Sequence, residues 1–391
     1  FYELGLSLLK PGGRLGYISS STFFKTGSGA ALRRHLLTHA QVRTLVDFGD
    51  IQVFEGVTTY PAIVVTDRAD SPDPQAPIRF LALGQAMPES LAAEFRQHAG
   101  TMPQGQLGND AWRLESDVLA RLREKLIQGH PTLKEVYGSP LYGIKTGLER
   151  AFVVDRAIRD RLIGEDPRSK ELLKPYLEGK DLKTWHVDTQ DLWLIYIPKR
   201  RIAIADFPAI ERHLRPFKTA LENRATNQEW FELQQSQERY STAFSKEKIV
   251  FPDITDHSSF SLNNGSFLAT TCFCIEVSKP WVLALLNSRA VWWLIQQVTP
   301  FVRGGFHRLK TQYIELLPIP KADAATHSRL STLAESTQRA AEARRDLQQK
   351  FRFRVLTDLA PGGHSAKLTN KLFDWPALDF KAFHDEIKKQ F

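Results

Sequence analysis

The sequence predicts an α/β protein: the later strands of an open sheet, followed by a mixed α+β domain and a helical tail. Three observations carry that reading. Strand-like apolar runs alternate with helix-period runs over roughly the first 70 residues. From about residue 130 the runs shorten, become aromatic and are split by turn residues. Beyond Pro318-Ile319-Pro320 an Ala/Arg/Gln-rich stretch continues without a helix breaker.

In chain order, Leu4, Leu8 and Leu9 recur at helical spacing until Lys10-Pro11-Gly12-Gly13 ends the helix. LGYISSSTFF follows as an apolar strand, and AALRRHLLTH as a helix with Leu32, Leu36 and Leu37 on one face. VRTLVDFGD and YPAIVVTDR are the next strands. A nucleotide-binding sheet of this kind keeps a glycine-rich loop after its first strand. None occurs here, so the chain is expected to begin partway through its sheet. Turn-rich residues 70–77 and 84–110 mark the edge of the first domain, expected to span 1–112. Ser116 is placed to cap a linker helix over 117–127, whose Val118, Leu119, Leu122 and Leu126 share a face. The linker is expected over 113–130, the second domain over 131–320 and the tail over 321–391. Within the second domain AFVVD, DLWLIYIP, KIVFPDI and FLATTCFCIEV each predict a strand, and 281–298 one buried helix. The tail opens with a long helix from 324 to about 350.

Composition excludes several classes. A hydrophobic share of 42% with 25% charge suits a folded globular chain, and no apolar run reaches the roughly 20 residues of a membrane-spanning helix. Cys272 and Cys274 stand two apart on a predicted strand, so both point to one face as buried reduced thiols, which suits a cytoplasmic protein. Two ligands are half of a zinc site, so no metal is expected. The net charge of +8 is unevenly placed. Residues 1–138 hold 14 Lys/Arg against 14 Asp/Glu, 139–320 hold 25 against 21, and 321–391 hold 13 against 9. A basic excess confined to the later regions suits phosphate binding.

The ordered series LSLLKPGGRLGYISSSTFF, LRRHLL and LVDFGDIQVFEGVTTYPAIVV resembles the post-catalytic half of TaqI-like adenine DNA methyltransferases. GIKTGLERAFVVD, LLKPYLEGKDLKTW, LWLIYIPK, KIVFPDI, LALLNSRAVWWLIQQ and FVRGGFHRLKTQYIELLPIP, in that order, are similar to the TaqI-like specificity domain. The tail KLTNKLFDWPALDFKAFHDEIKKQF resembles the end of the larger type IIG restriction–modification enzymes. The resemblance implies a partial Rossmann-like methyltransferase sheet followed by a target-recognition domain. It also implies adenine methylation within restriction–modification or phage defence, with double-stranded DNA as partner and S-adenosyl-L-methionine as methyl donor. The family's cofactor loop and its Asn/Asp-Pro-Pro-aromatic catalytic motif are not among these 391 residues. This chain alone is therefore expected to be inert, with no cofactor-binding residue of its own and a separate N-terminal half or nuclease domain as partner. The rival reading is a non-catalytic DNA-specificity subunit that directs another enzyme; the sheet strands in 1–70 argue against it.

Site candidates follow. The resemblance makes Phe54 the ring that stacks on an extruded adenine; by itself Phe54 reads as a core aromatic at a strand-to-loop edge. Gly143 and Gly147 flank Lys145 and Thr146, which suit phosphate or base-edge contact, or form a plain surface turn. In Gly179-Lys180-Asp181, Asp181 suits a cytosine amine and Lys180 a guanine edge or phosphate, with a salt-bridged turn as the alternative. Arg303, His307 and Arg308 flank Gly304-Gly305 in a flexible basic loop that suits a DNA groove. Lys199, with Arg200 and Arg201, is a further DNA candidate or a solvated charged face.

Overall fold

The computed structural model describes residues 1–49, 51–57, 59–83, 86–109, 111–299, 301–302, 304–359 and 368–391, with backbone only at Phe301. The first unit is an open sheet of β1 (Arg14–Ser20), β2 (Ala40–Asp47), β3 (Pro61–Arg68), β4 (Pro77–Ala82) and β5 (Gly100–Pro103), in the order β1-β3-β2-β4-β5. β3 runs antiparallel to both neighbours, and β2 runs parallel to β4. Alternation in β2 separates two apolar layers. Val42 and Leu45 join Phe24, Leu36, Val64 and Trp112 on one side, while Val46 joins Phe48, Ile51 and Leu81 on the other. Buried Arg33 donates to the carbonyl oxygens of Phe23, Thr26 and Asn109, which ties residue 109 back to the helix Ala30–His39.

The second unit is built from short strands. They are β6 (Leu141–Tyr142), β7 (Val153–Val154), β8 (Leu173–Leu177), β9 (Leu182–Lys183), β10 (His186–Val187) and β11 (Leu192–Ile195). After a helical interlude come β12 (Glu247–Pro252), β13 (Ile254–Thr255), β14 (Ser261–Asn264), β15 (Phe267–Leu268) and β16 (Cys272–Ile275), and later β17 (Phe301–Val302) and β18 (Phe306–Arg308). Among the described residues they form the sheets β15-β8-β11-β7, β14-β12-β16-β6 and β13-β18-β17, with β9 and β10 as a ribbon. The β12–β16 pair is two-faced. Val250, Cys272 and Cys274 enter one core with Leu173, Leu194 and Phe244. Ile249, Phe251, Phe273 and Ile275 enter another, closed by Val282, Leu283 and Leu294. The two thiols thus share a face and are buried, and burial pushes the Cys274 thiol up to about 12.

Four local expectations are corrected. Residues 281–298 form two helices, Pro280–Leu286 and Arg289–Val298, because Ser288 caps the second and the Asn287 amide bonds Phe260 at both N and O. FLATTCFCIEV breaks at a turn between β15 and β16. AFVVD contributes only β7, since Glu149–Phe152 is helical. The helix Asp117–Ile127 keeps Val118, Leu119 and Leu122 exposed, and Ser116 makes no side-chain cap bond there. The tail helix is longer than expected, Ala324–Leu359. It lies on Pro280–Leu286, with the His327 ring stacked on Trp281 at 4.2 Å and Arg345 donating to the Val187 carbonyl. No helix among the described residues is long and apolar enough to cross a membrane.

Lys248 is fully buried in β12, donating to the Phe244 and Lys246 carbonyls and to Asn263 Oδ1. Burial lowers its ammonium to about 8. Between that value and the ordinary lysine range the unfolded chain binds more protons, so stability rises with pH. Thermal melts from pH 7 to 10.5 should show the parent gaining on Lys248→Met by up to ~3 kcal/mol across that window. A constant difference would remove Lys248 as the titrating group.

Candidate nucleic-acid interface

The site is organised by one turn between β15 and β16, Ala269-Thr270-Thr271, in which Ala269 is buried and the two threonines are exposed. Three segments close on it. Gly143 N donates to the Cys272 carbonyl and Ile144 N to that of Leu268. A Cβ on Gly143 would lie 1.9 Å from the Ala269 carbonyl oxygen, so only glycine allows this approach. Ile144 is buried, which leaves the next residue, Lys145, exposed beside the turn. On a second side Gly179 N donates to Thr271 Oγ1 at 2.9 Å, and a Cβ there would meet the Thr271 carbonyl at 2.8 Å. On the third, Asp253 N donates to the Thr271 carbonyl and Leu309 N to that of Asp253. The half-buried Asp253 carboxylate then holds Lys310 at 3.1 Å and Arg308 at 4.0 Å.

Lys145, Lys180 and Arg308, widely spaced in sequence, are therefore joined through one turn, with Lys310 added. Lys180 is exposed and pairs with Glu178 at 2.7 Å; that bond holds its ammonium above the ordinary range. Between these segments lies a cavity of about 450 Å³ lined by Tyr142, Thr270, Phe273, Lys310, Thr311, Gln312 and Glu315.

Other expected contacts lie elsewhere. Asp181 is buried, and its carboxylate accepts from Glu178 N and Gln190 Nε2; burial raises its pKa. It braces the turn, with no surface to offer a base. His307 points inward from β18, 1% exposed, its Nδ1 bonded to Thr299 Oγ1 at 2.9 Å and its ring edge-on to Trp292. Strand alternation puts Phe306, Arg308 and the cross-strand Ile254 on the outer face and His307 on the inner one. Thr146 is buried, with its carbonyl accepting from Arg224 and Gln234 N. Lys199 donates to the Asn227 carbonyl, away from the central turn. Arg303 lies outside the described residues. In the first unit Phe54 follows the end of β2; its ring is 42% exposed, whereas Phe48 is buried.

Arg224 has no counterpart among the sequence candidates. Its guanidinium donates to the carbonyls of Leu221, Thr146, Glu232, Glu229 and Trp230. That fork fixes the turn bearing Lys145, whose backbone pairs with Gln235. Desolvation lowers the Arg224 pKa. Lys310, Asp253, Thr270 and Gln312 were also missed: KIVFPDI, FLATTCFCIEV and HRLKTQ carried them, but no motif sets them apart.

Fold and site together describe an open α/β sheet followed by a unit of short strands braced around one turn, and three stretches of the chain match family models. Residues 174–319 match the TaqI-like C-terminal specificity domain, residues 1–54 the Eco57I restriction-modification methylase, and residues 323–391 a domain of unknown function. The chain carries these three segments in that order: methylase, specificity domain, tail domain. Type II methyltransferase M.XhoI of Xanthomonas vasicola is 25% identical over 347 residues, covering 82% of this chain and 61% of that protein. Type II methyltransferase M.PaeR7I of Pseudomonas aeruginosa is 24% identical over 344 residues, covering 82% and 58%. The chain thus spans about six-tenths of the length of these relatives. The type IIL restriction-modification enzyme MmeI, solved in complex with DNA, superposes with a TM-score of 0.51 at 11% identity, over 96% of this chain and 46% of that one. That likeness is one of fold.

Gly143→Ala should force the Ile144–Gly147 turn off Ala269, and Arg224→Lys should leave buried carbonyls without donors. Each is expected to cost about 2–4 kcal/mol in thermal or urea unfolding. Unchanged stability in both would remove the turn as the organising element.

Proposed function

We propose that this chain is the target-recognition part, with the later catalytic-domain strands, of a site-specific adenine DNA methyltransferase of a restriction–modification or related defence system. The observation that carries this reading is the convergence of Lys145, Lys180, Arg308 and Lys310 on the Ala269–Thr271 turn, within the segment matched to a specificity domain. Clustered cations on a braced surface suit duplex phosphates and groove edges. Double-stranded DNA is the partner, and Phe54, exposed beyond β2, is the ring offered to an extruded adenine. S-adenosylmethionine would supply the methyl group. These 391 residues contain no glycine-rich strand-to-helix loop to cradle it, so its pocket is assigned to no residue of this chain.

The deciding experiment expresses the complete reading frame in a methylation-free host and maps modified bases by single-molecule sequencing. Methyladenine at one recurrent motif is expected; modified cytosine, or none, would overturn the assignment. In that protein Phe54→Ala should reduce methylation by on the order of tenfold or more while duplex binding persists, since base stacking is worth about 1–3 kcal/mol. Equal turnover would return Phe54 to a structural role. Arg308→Ala should weaken binding to all duplexes alike and flatten log affinity against log salt by about one unit. A loss restricted to one sequence would instead make Arg308 a base reader.

A further inference from the structure

The cavity beside the central turn contains two kinds of side chain. Its charged members are already engaged: Lys310 is held by Asp253, and Glu315 by Lys134 and Ser139. Thr311 donates to the Pro140 carbonyl. Besides the phenol of Tyr142, two neutral hydrogen-bonding groups, the Gln312 amide and the Thr270 hydroxyl, have no hydrogen-bond partner among the described residues. Both residues are exposed, and both face the same 450 Å³ space. Gln312 sits on the short helix Thr311–Ile314, which is pinned by fully buried Leu309 and Ile314. Tyr142 forms the opposite wall, 45% exposed and edge-on to Tyr240. The engaged side chains fix the walls, and Gln312 and Thr270 are left to hydrogen-bond an incoming group.

We propose that Gln312, assisted by Thr270, is a specificity-determining residue that reads one base of the target duplex. This rests on the DNA-recognition reading above and adds the reader and the base it prefers. A carboxamide offers a donor beside an acceptor, the complement of the N7 and N6 edge of adenine in the major groove. A hydroxyl on the facing turn supplies a third, adaptable bond. The ion-paired Lys310 fixes the position of the pocket relative to the phosphates, without sequence preference. The braced central turn holds Thr270 and the helix pinned by Leu309 and Ile314 holds Gln312, so both readers sit on rigid elements, as base discrimination requires.

The test is selection of the protein expressed from the complete reading frame on a randomised duplex pool, read by sequencing, with folding of each variant checked by its thermal midpoint. The parent is expected to enrich a motif with an adenine at one position. Gln312→Ala should keep the rest of the motif and lose discrimination at that adenine by on the order of tenfold. Gln312→Glu should move the preference there from adenine to cytosine, whose amine a carboxylate accepts. Thr270→Val should weaken the same position and no other. Identical motifs for parent and Gln312→Ala would overturn the assignment, as would a uniform loss across all sequences, which marks a phosphate anchor. A parent that enriches no duplex refutes the DNA-recognition reading itself, a separate result from a parent motif that Gln312 does not alter.

Discussion

The second unit depends on one constraint: β12 and β16 must fill two cores at once. Each strand sends alternate side chains to opposite sides, Val250, Cys272 and Cys274 to one and Ile249, Phe251, Phe273 and Ile275 to the other. A register slip of one residue would exchange the two sets and leave both cores wrong. The pairing of Val250 with Cys274 and of Phe251 with Phe273 is therefore tightly specified. Because β16 is fixed, the turn that delivers the chain into it is fixed too. The Ala269–Thr271 turn gains its rigidity from this pairing, and the glycine approaches at 143 and 179 depend on that rigidity.

Around that turn, polar groups are arranged in pairs rather than left as loose charges. Asp253 positions Lys310 and Arg308, Glu178 positions Lys180, and Glu232 accepts from the backbone amides of Arg200 and Glu229, linking the 200 turn to the loop that Arg224 braces. Exposed ion pairs of this sort contribute little to stability. Their effect is to limit the rotamers of the cations, so less entropy is lost when a polyanion is bound. The buried donors and acceptors hold the scaffold, while the neutral groups on the surface stay unengaged.

The fold class and the order of segments were legible in the sequence because hydrophobic periodicity and punctuation are local. β1 to β3 and the helix Ala30–His39 appear where alternation and Pro/Gly stops place them. The second domain was legible as short strands but not in its pairing, which joins residues 143, 179 and 253 to 269–271. Lys145, Lys180 and Arg308 drew attention because each stands near glycine, the residue that tolerates close backbone approach, and the structure places all three beside the Ala269–Thr271 turn. His307 and Asp181 were misread for the same reason: a polar residue in a glycine-rich turn resembles a surface donor, and only the strand face decides that it points inward. Arg224 was invisible, since nothing in the residue pattern distinguishes a guanidinium that satisfies four carbonyls of its own loop and that of Thr146 from one bathed in water.

The tail helix Ala324–Leu359 rises by roughly 54 Å along its axis, at about 1.5 Å per residue. It is gripped at Trp281 near one end and at Val187 and Asp188 further along, while Phe351 is clasped by Trp375 and Phe383 at the other. A stiff rod clamped along its length acts as a splint. A small rotation of the recognition domain about this axis would turn the terminal helices with it, and a tilt would be magnified at the far end in proportion to the lever arm. The terminal segment thus shares the mechanical frame of the unit that carries the Ala269–Thr271 turn, although it lies far from that turn in sequence.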